Sequence, residues 1–185
     1  MKNYDLSLTP KKMGLEFKQV LQHKWYVFKA CAIAGHPWIG LKHDMSKFSP
    51  QEFFERSRGQ GYGVSPVEVL RDTQGYSKAW QHHKGHNPHH WEYWTNGYRE
   101  NRTKTIKVPF RYILEMFCDW IGAGQTYGMD KWTPEGAREY WYGLRDKNSA
   151  IHPESVDMLN TWFDLLVEKG YKETLKSLDS YKEVY

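Results

Sequence analysis

The sequence predicts an all-α protein, a helical bundle with further helices toward the C-terminus. Prolines stand directly behind capping residues at Thr9-Pro10, Ser49-Pro50, Ser65-Pro66, Thr133-Pro134 and His152-Pro153. At the first helical position a missing N–H costs nothing, so these dipeptides mark helix starts. Apolar residues then recur every three or four positions, the period of one helix face. No alternating apolar–polar run is long enough for a sheet.

Each element follows in order. After Thr9-Pro10, the spacing of Met13, Phe17, Val20, Val27, Phe28 and Cys31 predicts a helix to about Gly35, closed by Gly35-His36-Pro37. A short helical piece is expected over 41–48. Ser49-Pro50-Gln51-Glu52 reads as a capping box that launches residues 53–56, and Glu52 reads as its reciprocal acid. Residues 58–63 hold three glycines and predict an exposed loop. A second capping box, Ser65 to Glu68, predicts a helix over 66–73, and another follows over 76–85. Asn87-Pro88 breaks that helix and caps the next, over 89–94. Residues 95–108 are polar and basic, a loop or lid. Pro109 opens an apolar helix to about Gly122 that carries Ile113, Met116, Phe117, Trp120 and Ile121. Thr133-Pro134 and His152-Pro153 begin two more helices, and 171–182 suits a last one.

Composition narrows the class. Of 185 residues, 39% are hydrophobic, but 9 Trp, 13 Tyr and 8 Phe are enough large rings to build a core. The apolar runs are short, which argues against a membrane span, and the N-terminus has no apolar stretch behind its lysines, which argues against a signal peptide. A cytoplasmic location is the expectation. Cys31 and Cys118 stand alone without CxxC spacing and read as small buried hydrophobes. The net charge of +4 suits a small anionic partner and is too weak to favour nucleic acid.

The chemistry concentrates in histidines and aspartates. His43-Asp44 places an imidazole and a carboxylate on neighbouring positions, able to reach one metal ion or to bridge two through the carboxylate. On a continuous helix Lys47 would share the face of His43 and meet an anionic substrate. His23 lies one turn from Val20 and Val27, as either a core histidine or a ligand. Asp119 sits in the most apolar helix, which calls for a cation, for an arginine such as Arg111, or for exposure at the edge of the apolar stripe. Five of the nine histidines fall between His82 and His90, more than packing explains. His83/His90 and His82/His89 are seven apart and would share a face on a continuous helix, but Pro88 bends the chain between them, so both pairs are open.

The order His23, His43-Asp44, His83, His90, Asp119 resembles the ligand order of the HD superfamily of metal-dependent enzymes, over roughly residues 17–122. His43-Asp44-Met45-Ser46-Lys47 is similar to the HD-x-G-K stretch of that superfamily, with Ser46 in place of glycine. His43 to Ser49 and His83 to Trp94 also resemble an uncharacterised bacterial and phage family with HDxSKFS and HxxxNxHHxE motifs. The resemblance implies a single HD-domain-like helical bundle over 1–185, with the metal core over about 17–122 and C-terminal helices over about 133–185. It implies two divalent ions (Mn, Fe, Co or Ni) held by His23, His43, Asp44, His83, His90 and Asp119. His83 lies four residues before Asn87, as at a capped helix end, which turns His82 and His89 outward or makes them outer hydrogen-bond partners. Asn87 and Glu92 match the motif of the second family, and that resemblance implies contacts behind the ligands or to substrate.

Two reactions suit such a centre. In a phosphohydrolase, a hydroxide between the metals attacks a small phosphorylated or nucleotide-like substrate, with Asp44 and Lys47 as catalytic residues. In a di-iron oxygenase of the same superfamily, the ions activate O₂ toward a small polar substrate. A non-enzymatic reading takes Tyr93, Trp94, Tyr98, Arg99 and Arg102 as a stacking surface for nucleic acid or another partner, against their use in closing the core.

Overall fold

The computed structural model describes residues 2–97, 103–145 and 150–185. The fold is all-α, as the sequence predicts. Its helices are α1 (Pro10–Ile33), α2 (Pro37–Lys42), α3 (Pro50–Arg58), α4 (Pro66–Gln74), α5 (Lys78–His86), α6 (Phe110–Gly128), α7 (Pro134–Arg145) and α8 (Pro153–Ser177). Among the described residues, no helix is long and apolar enough to cross a membrane. The chain divides into two compact units, one of Met1–Gln22 with Asp44–Asn87, the other of His23–His43 with Pro88–Tyr185. Both contain part of α1.

In the first unit α3 packs against α4, α5 and a 3-10 turn at Met45–Phe48. Its aliphatic core is thin: Val20, Val67, Val69, Leu70 and Ala79. Buried polar groups supply much of the order. Arg56 Nε donates to Glu16 Oε1 at 2.5 Å, and Gln60 Nε2 donates to Glu16 Oε2 at 2.6 Å. The Glu55 carboxylate accepts from the first N–H groups of α5, at Lys78 and Ala79, satisfying donors that a helix start leaves open.

The second unit has a thick apolar core. Phe117, Trp141, Trp162 and Phe163 are fully buried, with the Phe117 ring 5.5 Å from Trp162 and 4.9 Å from Phe163. Burying each such side chain is worth about 1.5–3 kcal/mol. Cys31 and Cys118 are buried and free, as expected. Two glycines let helices meet closely. A Cβ on Gly122 of α6 would lie 2.5 Å from Val27 Cγ2 of α1, and one on Gly40 of α2 would lie 2.6 Å from Phe28 Cα.

Several boundaries differ from the sequence reading. Residues 41–48 do not form one helical piece. α2 ends at Lys42, His43 is extended, and Asp44 takes the left-handed conformation (φ 55, ψ 29) before the 3-10 turn. α5 starts at Lys78 because Ser77 Oγ caps the Trp80 N–H. Residues 89–94 give only a 3-10 turn, Trp91–Trp94. The expected loop over 95–108 contains a small antiparallel pair, β1 (Thr95–Gly97) and β2 (Thr103–Thr105), too short to show as alternation. Tyr98, Arg99 and Arg102 lie outside the described residues. The expected break before 171 is Gly170, whose φ of 78 and ψ of 171 interrupt α8.

Candidate metal centre

In the second unit the Gly122–Val27 approach brings α1 and α6 together. His23 stands one turn before Val27 and Asp119 one turn before Gly122, so the same crossing joins them. His23 Nε2 is 3.0 Å from Asp119 Oδ1, His43 Nε2 is 3.3 Å from the same oxygen, and the two Nε2 atoms are 3.2 Å apart. All three side chains are buried. Gly40 brings α2 against α1, three residues before His43. Burial pushes the Asp119 carboxyl up, but the hydrogen bonds and charges of His23 and His43 outweigh it and hold it well below the ordinary carboxylate range.

Behind this triangle lies Glu115, one turn before Asp119 on α6 and buried. Its Oε1 is 3.0 Å from His43 Nδ1 and 3.1 Å from His89 Nδ1. Burial raises the Glu115 carboxyl, and the two imidazoles more than reverse that, bringing it to about 2. His89 is 2% exposed, with Nε2 3.9 Å from Asp119 Oδ2. His90 is half-buried, its ring centroid 4.3 Å from that of His89.

In the first unit the chemistry gathers around Asp44. This buried residue is the one non-glycine with positive φ among the described residues, a conformation that costs about 1–2 kcal/mol. Asp44 Oδ2 is 2.5 Å from Lys47 Nζ, and Oδ1 is 3.3 Å from His83 Nε2. His83 Nδ1 is 2.7 Å from Glu52 Oε2, while His82 Nδ1 is 2.7 Å from Glu52 Oε1. Burial pushes the His83 imidazolium below its usual range against the pull of Asp44 and Glu52, so the ring is neutral at neutral pH. Burial raises Glu52, but His83 and His82 bring it below the ordinary glutamate value. Asn87 Nδ2 donates to the His83 carbonyl at 2.7 Å and to Ser46 Oγ at 2.8 Å, and Ser46 Oγ lies 3.2 Å from His83 Nδ1. Asn87 is the C-cap of α5 rather than the N-cap of a helix over 89–94, and Ser46 has a contact of its own where the resembling motif has glycine.

His23, His43 and Asp119 converge in the second unit, and Asp44, His83 and Lys47 in the first. Asp119 meets histidines, not Arg111. Lys47 reaches Asp44 across a 3-10 turn rather than sharing a helical face with His43. His82 keeps 26% of its side chain exposed and is tied to Glu52. His89, expected to face outward or act as an outer partner, is the more buried of its pair, and His90, expected as a ligand, is half-buried. The chain breaks between the two pairs where Asn87-Pro88 predicts it: α5 ends at His86 and Asn87 is extended. Glu92 is half-buried in the 3-10 turn Trp91–Trp94.

Two site residues escaped the sequence reading. Glu52 looks like a capping-box acid, yet its carboxylate receives His82 and His83 instead of returning to Ser49. Glu115 shares the face of Asp119 at i−4, and two acids one turn apart in so apolar a helix were the available signal.

The donor set fits a divalent ion. Ligand bonds of about 2.1 Å place neighbouring ligands about 3.0–3.4 Å apart, for octahedral or tetrahedral geometry. The three separations among His23, His43 and Asp119 fall in that interval.

Residues 13–165 match the model of a family described as "Family of unknown function (DUF5662)", and the chain belongs to that family. No curated protein and no solved structure matches the chain.

Proposed function

We propose that this chain is a metal-dependent phosphohydrolase, of HD type, acting on a small phosphorylated or nucleotide-like substrate. The observation that carries the reading is the buried triangle of His23 Nε2, His43 Nε2 and Asp119 Oδ1, with sides of 3.0–3.3 Å. These three residues would hold one divalent ion, and Asp44 with His83 would contribute to a second. His43 and Asp44 are consecutive, so one peptide bond links the two sets. When bound, such ions supply Lewis acidity toward a phosphoryl oxygen and a water nucleophile at neutral pH.

The chain's own residues do the rest. Asp119 stays ionised and keeps negative charge among the imidazoles. His83, neutral through burial, keeps a lone pair for coordination. Lys47 is held beside Asp44 as a compact charge, where it would meet a substrate phosphate. The imidazole-rich donor set suits iron as well, which makes the di-iron oxygenase the second reading.

Elemental analysis after expression in metal-supplemented medium, with anaerobic assay of the manganese-loaded chain on phosphomonoesters and nucleotides, tests the proposal. Turnover without oxygen is the expected result. Bound iron with substrate oxidation that stops without oxygen would establish the second reading instead.

A further inference from the structure

We propose that Glu115 is a positioning residue that turns His43 and His89 toward Asp119 together, and that His89 rather than His90 is the additional imidazole ligand. This rests on the metal-centre reading above and names residues that the sequence resemblance does not.

One oxygen, Glu115 Oε1, lies 3.0 Å from His43 Nδ1 and 3.1 Å from His89 Nδ1. An ionised carboxylate offers acceptors only, so each ring must place its hydrogen on Nδ1 to meet it. A ring whose Nδ1–H is held by Glu115 has Nε2 left to coordinate once an ion takes the place of any hydrogen shared with Asp119. Those Nε2 atoms are the ones nearest Asp119, at 3.3 Å for His43 and 3.9 Å for His89. Glu115 and Asp119 are one turn apart on α6, so a single helix face takes both rings from behind and meets them in front. The rings lie 4.4 Å apart at a tilt of 43°. A carboxylate serving only to fill the core would need partners for its own oxygens. It would not require both partners to aim their other nitrogens at a second carboxylate. His90 precedes the 3-10 turn without capping it through its ring and is half-buried, whereas His89 is 2% exposed and has its Nδ1 held by Glu115.

Two measurements on the full chain test this. Long-range ¹⁵N–¹H NMR of the metal-free wild type reads the tautomers directly, and Nδ1–H at both His43 and His89 is expected. An Nδ1 without hydrogen at either ring overturns the positioning role, whether or not the protein binds metal. Titration with Co(II), followed by absorption and calorimetry, then compares Glu115→Gln, His89→Ala and His90→Ala. Glu115→Gln and His89→Ala are expected to weaken cobalt binding about 10–100-fold, the usual cost of losing an orienting partner or more. His90→Ala should match wild type. A large loss in His90→Ala with none in His89→Ala overturns the ligand assignment. Failure of the wild type to bind cobalt overturns the metal reading itself and leaves the tautomers to decide Glu115.

Discussion

The second unit sets its ligands on a floor of buried rings and aliphatic side chains, with helices brought close by Gly40 and Gly122. The first unit holds Asp44 and His83 with few apolar side chains behind them. It relies on directed contacts: Glu16 with Arg56 and Gln60, Glu55 at the start of α5, Glu52 with His82 and His83. Apolar burial is non-directional and degrades in proportion to the area lost. A buried hydrogen-bonded charge behaves otherwise, because removing one partner leaves the other desolvated and alone. Single polar substitutions should thus cost the first unit more than their size suggests, while the second unit should yield mainly to loss of bulk.

The largest effect expected from this contrast is at Arg56. Glu16 is fully buried, and Arg56→Met withdraws the cation 2.5 Å from its Oε1. Breaking a buried pair from one side costs about 3–5 kcal/mol. Adding Glu16→Gln removes the stranded charge and should recover a large part of that loss. Urea denaturation of the single and double variants measures it. A double variant no more stable than Arg56→Met would show that apolar packing, not charge pairing, carries the first unit.

A smaller and more local contrast separates two neighbours in the chain. His43→Ala should lose the ion of the second unit, and Asp44→Asn the ion of the first, each by about one equivalent with helicity kept. Asp44→Ala should lose metal equally but be less stable than Asp44→Asn by a further increment of roughly 1 kcal/mol, since asparagine tolerates the left-handed backbone and alanine does not. Elemental analysis and thermal melts read the two effects separately. Wild-type metal content in either His43→Ala or Asp44→Asn would remove that residue from the ligand set.

What was legible in the sequence follows from the range of the forces involved. Proline behind a capping residue is a local signal, and α3, α4, α7 and α8 start where it predicted. Helical period placed His23 beside the apolar stripe of α1 and Asp119 within that of α6, and both are buried. The break at His43-Asp44 was not, because a left-handed aspartate is set by its surroundings and nothing beside it announces the turn. The choice between His89 and His90 was also hidden. It depends on where α5 stops and on Glu115, which is 26 positions away from His89 and gives no sign in sequence of the ring it will meet.

The smallest expected effect comes from the two Ser-Pro-x-Glu segments of the first unit, which look alike and end differently. Ser49 Oγ accepts from the Glu52 N–H at 3.4 Å, whereas Ser65 makes no side-chain cap bond. Neither glutamate returns to its serine: Glu52 receives His82 and His83, and Glu68 pairs with Arg71 at 2.6 Å on the surface. Removing a working serine cap costs about 0.5–2 kcal/mol, and the long Ser49 bond places its loss at the low end. Ser65→Ala should change stability by no more than a few tenths of a kcal/mol, the usual size for a surface change without a cap or core contact. Paired thermal melts of Ser49→Ala and Ser65→Ala would show the difference. Equal losses would mean that the motif acts through its proline and backbone alone. In that case the diversion of Glu52 to the histidines would have cost the helix start nothing.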